Sequence, residues 1–358
     1  MNIGILTFSK GDNYGAVLQS YALGQWLRSK GHNVEYINYT WSTLRYRITS
    51  NLTPLKKRFE IFRNKYLINF SKECNTKEDL TEAIKEKDLV IVGSDQVWNP
   101  DITGYRAKHY FLDFVPYSIP KIAYAASFGK SQWEWPELTD EVNILLQKFK
   151  SISVREEDGA RICKKIFGVD AKVVLDPTFL INNYDSLLRK PKYANRIVGF
   201  HFYPSNSYYK LLKELGQIRQ KRILVMDLPS RHTTMKVLEF SISPFCKVTD
   251  WLTNIAYADF VVTDSFHCLA FSLIFKRQFI FIATNSRLVS RISTLLDKLE
   301  IKNRVYFNHQ DAIDAIPTLT FIDYKKVDRK IEEYRTESEN FLFNVFNSIN
   351  HEKDYLNL

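Results

Sequence analysis

The residues Val261-Val262-Thr263-Asp264-Ser265-Phe266-His267 carry an apolar strand through a short polar turn into a helix. The helix continues as Cys268-Leu269-Ala270-Phe271-Ser272-Leu273-Ile274-Phe275, almost wholly apolar, which predicts burial. The first N–H groups of a helix lack intrahelical partners and its amino end carries partial positive charge, so this turn suits an anion. His267, in the first turn, is therefore a candidate acid or base acting on that anion. Its alternative is a core histidine with its hydrogen bonds satisfied.

Four further segments combine reactive side chains with strand ends. Phe8-Ser9-Lys10-Gly11-Asp12-Asn13-Tyr14-Gly15 leads from a strand into a helix, and Gly11 and Gly15 permit close backbone approach. Asp12 and Asn13 either cap that helix or face a substrate; the spacing is not that of a dinucleotide loop. Leu89–Gly93 opens into Ser94-Asp95-Gln96-Val97-Trp98-Asn99, where Asp95 is either a helix cap or a general acid/base. Arg155, after Ile152-Ser153-Val154, suits bidentate capture of a carboxylate or phosphate, or a salt bridge to a nearby acid. Arg287 and Arg291 share one helix face and could serve the anion or the surface.

The elements that must hold these residues alternate strand and helix throughout. Expected strands are Ile3–Thr7, Val34–Ile37, Leu89–Gly93, Ile122–Ala126, Ile152–Val154 and Val173–Leu175, then Ile197–His201, Ile223–Met226, Phe260–Thr263 and Phe279–Ile282. Most are short and apolar throughout, as parallel strands covered on both faces should be. The pattern predicts an α/β architecture. Polar, proline-containing sequence from Asp176-Pro177 to Lys190-Pro191-Lys192 marks the boundary between the two series. The expected division is an N-terminal Rossmann-like domain over 1–180, a C-terminal one over 181–323, and a docking helix within 324–358.

The 358 residues are 45% hydrophobic and 25% charged, as in globular proteins, and no apolar run reaches the roughly 18 residues of a membrane span. A cytoplasmic protein is expected. The formal charge of +10 points to an acidic partner. Cys74, Cys163, Cys246 and Cys268 are widely spaced and read as free buried thiols. Carboxylates are not clustered at ligand spacing, so no metal is expected. The segment 41–70 gathers Arg45, Arg47, Lys56, Lys57, Arg58, Arg63 and Lys65 against Glu60, with Tyr46, Phe59, Phe62, Tyr66 and Phe70 interleaved. It reads as a solvated amphipathic helical insertion, or as a contact for the anionic lipid headgroups of an inner-membrane surface or for a lipid-diphosphate acceptor. No nucleic-acid motif accompanies the charge.

Six segments together resemble the polysaccharide pyruvyl transferase family. They are Asp12–Gln19, Val92–Asn99, Ala123-Tyr124-Ala125-Ala126-Ser127-Phe128-Gly129, Ser153–Glu156, Leu175–Thr178 and Thr263–His267, in family order. The resemblance implies two Rossmann-like domains facing across a cleft, like GT-B glycosyltransferases. It also implies phosphoenolpyruvate as donor substrate, no cofactor, and a sugar or lipid-linked oligosaccharide acceptor that receives a pyruvate ketal in a capsular or exopolysaccharide. Many members carry an arginine two residues before the histidine, and that place is Ser265 here.

On that reading His267 and Asp95 are catalytic. Arg155, Asp264, Ser265, Phe266, Arg287 and Arg291 bind the donor. Asp12, Asn13, Tyr14, Gly15, Ser94, Gln96, Trp98 and Ser127 lie on the acceptor side. Two other functions compete. A GT-B glycosyltransferase using a nucleotide sugar often carries two glutamates eight apart in its C-terminal domain, and Glu214, Glu239 and Glu300 are not so spaced. A non-catalytic glycan-assembly subunit of the same fold is permitted by Ser265.

Overall fold

The apolar runs of the first half of the chain assemble into one parallel sheet and those of the second half into another. The computed structural model describes residues 1–40, 54–226, 240–244, 246–283 and 286–356, with the side chains of 54–55, 286–291 and 353–356 outside the description. The first sheet contains β1 (Asn2–Leu6), β2 (Asn33–Tyr39), β3 (Phe70–Cys74), β4 (Leu89–Val92), β5 (Lys121–Ala126), β6 (Ser151–Val154) and β7 (Lys172–Val173). Their spatial order is β3-β2-β1-β4-β5-β6-β7. The second contains β8 (Ile197–Phe200), β9 (Ile223–Val225), β10 (Ser241–Ile242), β11 (Phe260–Thr263), β12 (Gln278–Ile282) and β13 (Val305–Tyr306), ordered β10-β9-β8-β11-β12-β13.

Every strand pairing in both sheets is parallel. Parallel strands need crossover connections, and the helices that supply them cover both faces. Hence the four residues of β4 and of β8 are all buried. The expected strands are present, except that of Val173–Leu175 only Val173 lies in β7; β3, β10 and β13 were not expected, being edge strands that are short or partly polar and exposed.

In each sheet the strand order reverses beside the first strand: between β1 and β4, and between β8 and β11. Crossovers leave to opposite sides there, which opens a crevice at the carboxyl ends of the strands. The register pairs Leu6 with Val92, and Phe200 with Thr263. The residues that follow these pairs therefore lie at the two crevice mouths.

The chain divides into two compact units. One comprises Met1–Thr49, Arg63–Asn182 and Arg329–Leu358, the other Ser50–Phe62 and Asn183–Asp328. The helix Tyr324–Leu356 starts in the second and continues in the first. It docks through Phe343 against Trp26 (5.6 Å between ring centroids), through Glu339, which accepts from Trp26 Nε1 at 2.6 Å, and through Ser338, whose Oγ accepts from Leu175 N. Among the described residues no helix is long and apolar enough to cross a membrane.

On the helix Pro54–Tyr66, Phe59 and Phe62 are buried while Lys57, Glu60 and Lys65 are exposed, as in a solvated amphipathic helix. Arg63 is 4% exposed and its guanidinium holds the loop after β1, donating to the Lys10 and Gly11 carbonyls and to Asp12 Oδ1 at 3.1–3.4 Å. Arg45, Tyr46 and Arg47 lie outside the described residues. All four cysteines are free and buried. Desolvation lifts the Cys163 thiol to about 12, so it is inert as a nucleophile at neutral pH.

Candidate functional site

At the carboxyl edge of the second sheet, β11 ends in Thr263, whose hydroxyl donates to the Phe200 carbonyl at 2.7 Å and locks β11 to β8. The same Oγ1 accepts from Ser265 N at 3.0 Å and folds the chain into the turn. Ser265 is the N-cap of the helix Phe266–Ile274; its side chain accepts from Cys268 N. The hydroxyl thus satisfies one helix-initial donor, which is what serine does best at this position. His267 follows in the first turn and is 8% exposed.

Asp264 corrects a sequence expectation. It is fully buried, and its carboxylate accepts from Phe202 N at 2.9 and 3.2 Å. Its Oδ2 also lies 2.9 Å from His201 Nδ1. The carboxylate therefore ties the loop after β8 to the turn after β11, across the crevice mouth, instead of facing a donor. Phe266 is likewise buried, its ring edge-on to His267. Arg287 and Arg291 lie on the helix Ser286–Lys298, but their side chains are outside the described residues.

Sequence reasoning missed His201. It directly follows β8, as Asp264 directly follows β11, so its signal was a polar residue closing an apolar run. Tyr208 packs 4.6 Å from the His201 ring, and His309 packs 5.7 Å from it. Burial, with His201 as a smaller contributor, lowers the His309 pKa to about 4. The sign follows from linkage. An unfolded chain binds this proton near pH 6.5 and the folded one near 4, so stability falls as pH drops from 6.5 towards 4. Urea midpoints measured across this range should show that loss, and His309→Phe should reduce it; an unchanged slope removes His309 as its source.

The first sheet places a denser polar network at its carboxyl edge. Thr7 Oγ1 donates to the Ser94 carbonyl, and Gln19 Nε2 donates to Thr7 Oγ1. Ser94 Oγ donates to Asp176 Oδ2 at 2.9 Å, and Arg155 donates to the same oxygen at 3.1 Å. Asp176 Oδ1 accepts from the Thr178 amide and hydroxyl. Ser127 Oγ donates to Glu156 Oε1 at 2.7 Å, and Glu156 lies 3.7 Å from Arg155 Nε. Burial opposes the Arg155 charge, yet the carboxylates of Asp176, Glu156 and Asp95 hold its pKa above the usual value. Of the two readings of Arg155, the salt bridge is the one observed, in a residue 4% exposed.

Asp95 is half-buried and its backbone is left-handed, with φ 84°. It forms an isolated bridge to Ala126, its carbonyl accepts from Ser127 N, and its own Oδ1 accepts from Gln96 N at 2.9 Å. The helix-cap alternative fails, because Asn99 caps the next helix, Pro100–Thr103. Gly129, at φ 67°, lies so close to Gln96 that a Cβ would collide with Oε1. Glycine is required where this loop passes the Asp95 turn.

The acceptor-side expectations divide. Trp98 is fully buried, stacks on Phe111 and donates from Nε1 to the Tyr110 carbonyl, so it is a core residue and no substrate contact. Ser94 and Ser127 are fully buried in the network, and Tyr14 and Gly15 are buried in the helix Tyr14–Ser29. Asp12 and Asn13 are exposed, the first paired with Arg63 and the second capping that helix by accepting from Ala16 N. Gln96 is half-buried and accepts from Asn99 Nδ2. Among the described residues no cluster of His, Cys, Asp and Glu could hold a metal ion.

Solved structures of low sequence identity share this architecture. The S. aureus MnaA–UDP co-structure superposes with a TM-score of 0.58 at 15% identity, covering 100% of this chain and 98% of that one. A putative UDP-N-acetylglucosamine 2-epimerase from Listeria monocytogenes gives 0.56 at 8% identity, covering 92% and 90%. The wall teichoic acid polymerase TagF gives 0.51 at 13% identity, covering 98% and 89%. These likenesses establish a GT-B-type fold. No curated protein matches the sequence. The model of the family described as polysaccharide pyruvyl transferase matches residues 13–286, from the Asn13 cap to the start of the helix after β12. The chain belongs to the polysaccharide pyruvyl transferase family.

Proposed function

We propose that the protein transfers the pyruvyl unit of phosphoenolpyruvate to two hydroxyls of a sugar, forming a pyruvate ketal in a capsular or exopolysaccharide or its lipid-linked precursor. The observation that carries this reading is His267, in the first turn of the buried helix that follows β11 at the crevice mouth. A helix start favours a phosphoryl group through its dipole and its amides. An imidazole beside it can move a proton near neutral pH.

The reaction needs a proton delivered to the methylene carbon of the enol phosphate, which leaves an oxocarbenium-like centre at C2. One sugar hydroxyl adds to C2 and loses its proton. The second hydroxyl then forms the second C–O bond as phosphate leaves and takes up the remaining proton. His267 is the proposed acid/base and phosphate ligand. Asp95, half-buried in a strained turn after β4, is the proposed acceptor-side carboxylate.

Ligand protection from thermal unfolding tests the donor class without knowledge of the acceptor. Phosphoenolpyruvate at about 100 times its Kd should stabilise the protein by about 2.7 kcal/mol, whereas a uridine nucleotide should not. Protection by the nucleotide alone would assign the site to nucleotide-sugar transfer instead.

A further inference from the structure

The unit containing the second sheet carries an open cavity of about 340 Å³. Three separate chain segments send cations to it. Arg58 comes from the helix Pro54–Tyr66, Lys190 and Lys192 from the segment before β8, and Lys247 from the start of the helix Val248–Ala256. Asp250 is the one carboxylate among its described lining residues. Arg58 also donates to the Pro244 carbonyl at 3.5 Å, which directs its guanidinium over the segment between β10 and that helix. The N-cap of the helix is Lys247, with no side-chain cap bond, so a cation stands where the dipole favours an anion.

Four positive groups line one open cavity, three of them exposed lysines. We propose that this cavity binds a diphosphate ester. Its volume is at the small end of the roughly 300–1,000 Å³ of small-molecule sites. A single phosphate fills little of a space that could hold about eleven waters at ~30 Å³ each. A diphosphate matches the excess of positive charge better. Tyr193, whose ring lies 5.1 Å from Lys192 Nζ, supplies an aromatic wall for the organic part of the ester. Phosphoenolpyruvate is no part of this proposal.

Inorganic pyrophosphate is the first probe, titrated calorimetrically into the whole chain at low ionic strength. Saturable binding is expected, weakened at least tenfold in Lys192→Glu and in Lys247→Glu. Both lysines are exposed, so the ligand-free unfolding midpoint should be unchanged and serves as the control for folding. Lys165→Glu, exposed on the other unit, controls for bulk charge and should alter affinity less than twofold. Geranyl diphosphate and UDP-N-acetylglucosamine then compete with pyrophosphate; whichever displaces it at lower concentration identifies a lipid or a nucleotide source. No saturable pyrophosphate binding, unaltered binding in both charge reversals, or no displacement by either ester overturns the proposal. Uridine-nucleotide protection that Lys192→Glu abolishes belongs to this cavity, so the phosphoenolpyruvate experiment is repeated in that variant and its outcome is then separate from these results.

Discussion

Replacing His267 with alanine is expected to lower phosphate release from phosphoenolpyruvate plus acceptor by about 10²- to 10⁴-fold, the usual contribution of a positioned acid or base. The fold should survive. The side chain sits at a crevice mouth, and the helix start is held independently by Thr263 and Ser265. His267→Gln should be as inactive as the alanine variant, since it keeps polarity and approximate size but cannot move a proton near pH 7. Phosphate release at near wild-type rate from either variant, with an unchanged unfolding midpoint, removes His267 from the chemistry.

A second large effect concerns stability. Asp176→Ala should destabilise the unit built on the first sheet by about 3–5 kcal/mol, because it leaves the buried Arg155 guanidinium without its nearest counter-charge. The loss should appear as a lower urea midpoint. Arg155→Met in the same background should restore much of it, since removing both charges also removes the desolvation problem. A loss below about 1 kcal/mol for Asp176→Ala would falsify the view that this pair organises the sheet edge. Arg155→Lys should likewise weaken the fold, because an ammonium cannot reproduce the placement of the guanidinium fork.

The fold was legible because buried parallel strands are written as unbroken apolar runs. Leu89-Val90-Ile91-Val92 and Phe260-Val261-Val262-Thr263 allow no other reading that also fits the alternation with helices. The edge strands β3, β10 and β13 escaped because much of their surface meets solvent, which dilutes the signal: Phe70-Ser71-Lys72-Glu73-Cys74 is mostly exposed or half-buried. The candidate site was legible in position but less so in role. Polar residues closing apolar runs, from Thr7 and Ser94 to His201 and Asp264, all mark the carboxyl edge. Composition does not say which of them pair with each other. Asp176 and Glu156 met Arg155 through contacts between distant segments, and Asp264 met His201 in the same way. Trp98 was misassigned because an aromatic beside a polar loop looks the same whether it points outward or into the core. Arg63 was counted with a basic face, while its actual task is to hold the loop at Asp12.

The docking of Tyr324–Leu356 has a consequence for synthesis of the chain. Trp26, Tyr124 and Leu175 are made before the second sheet, yet Phe343, Phe341 and Ser338 that cover or bond them are made after it. A ribosome adding about 5–20 residues per second leaves these groups uncovered for roughly ten to thirty seconds while the second sheet is translated. During that interval the nascent protein presents an aromatic surface that the helix Tyr324–Leu356 later closes. The unit built on the first sheet is therefore the one that finishes folding second, and a chaperone that shields Trp26 should raise the yield of the whole.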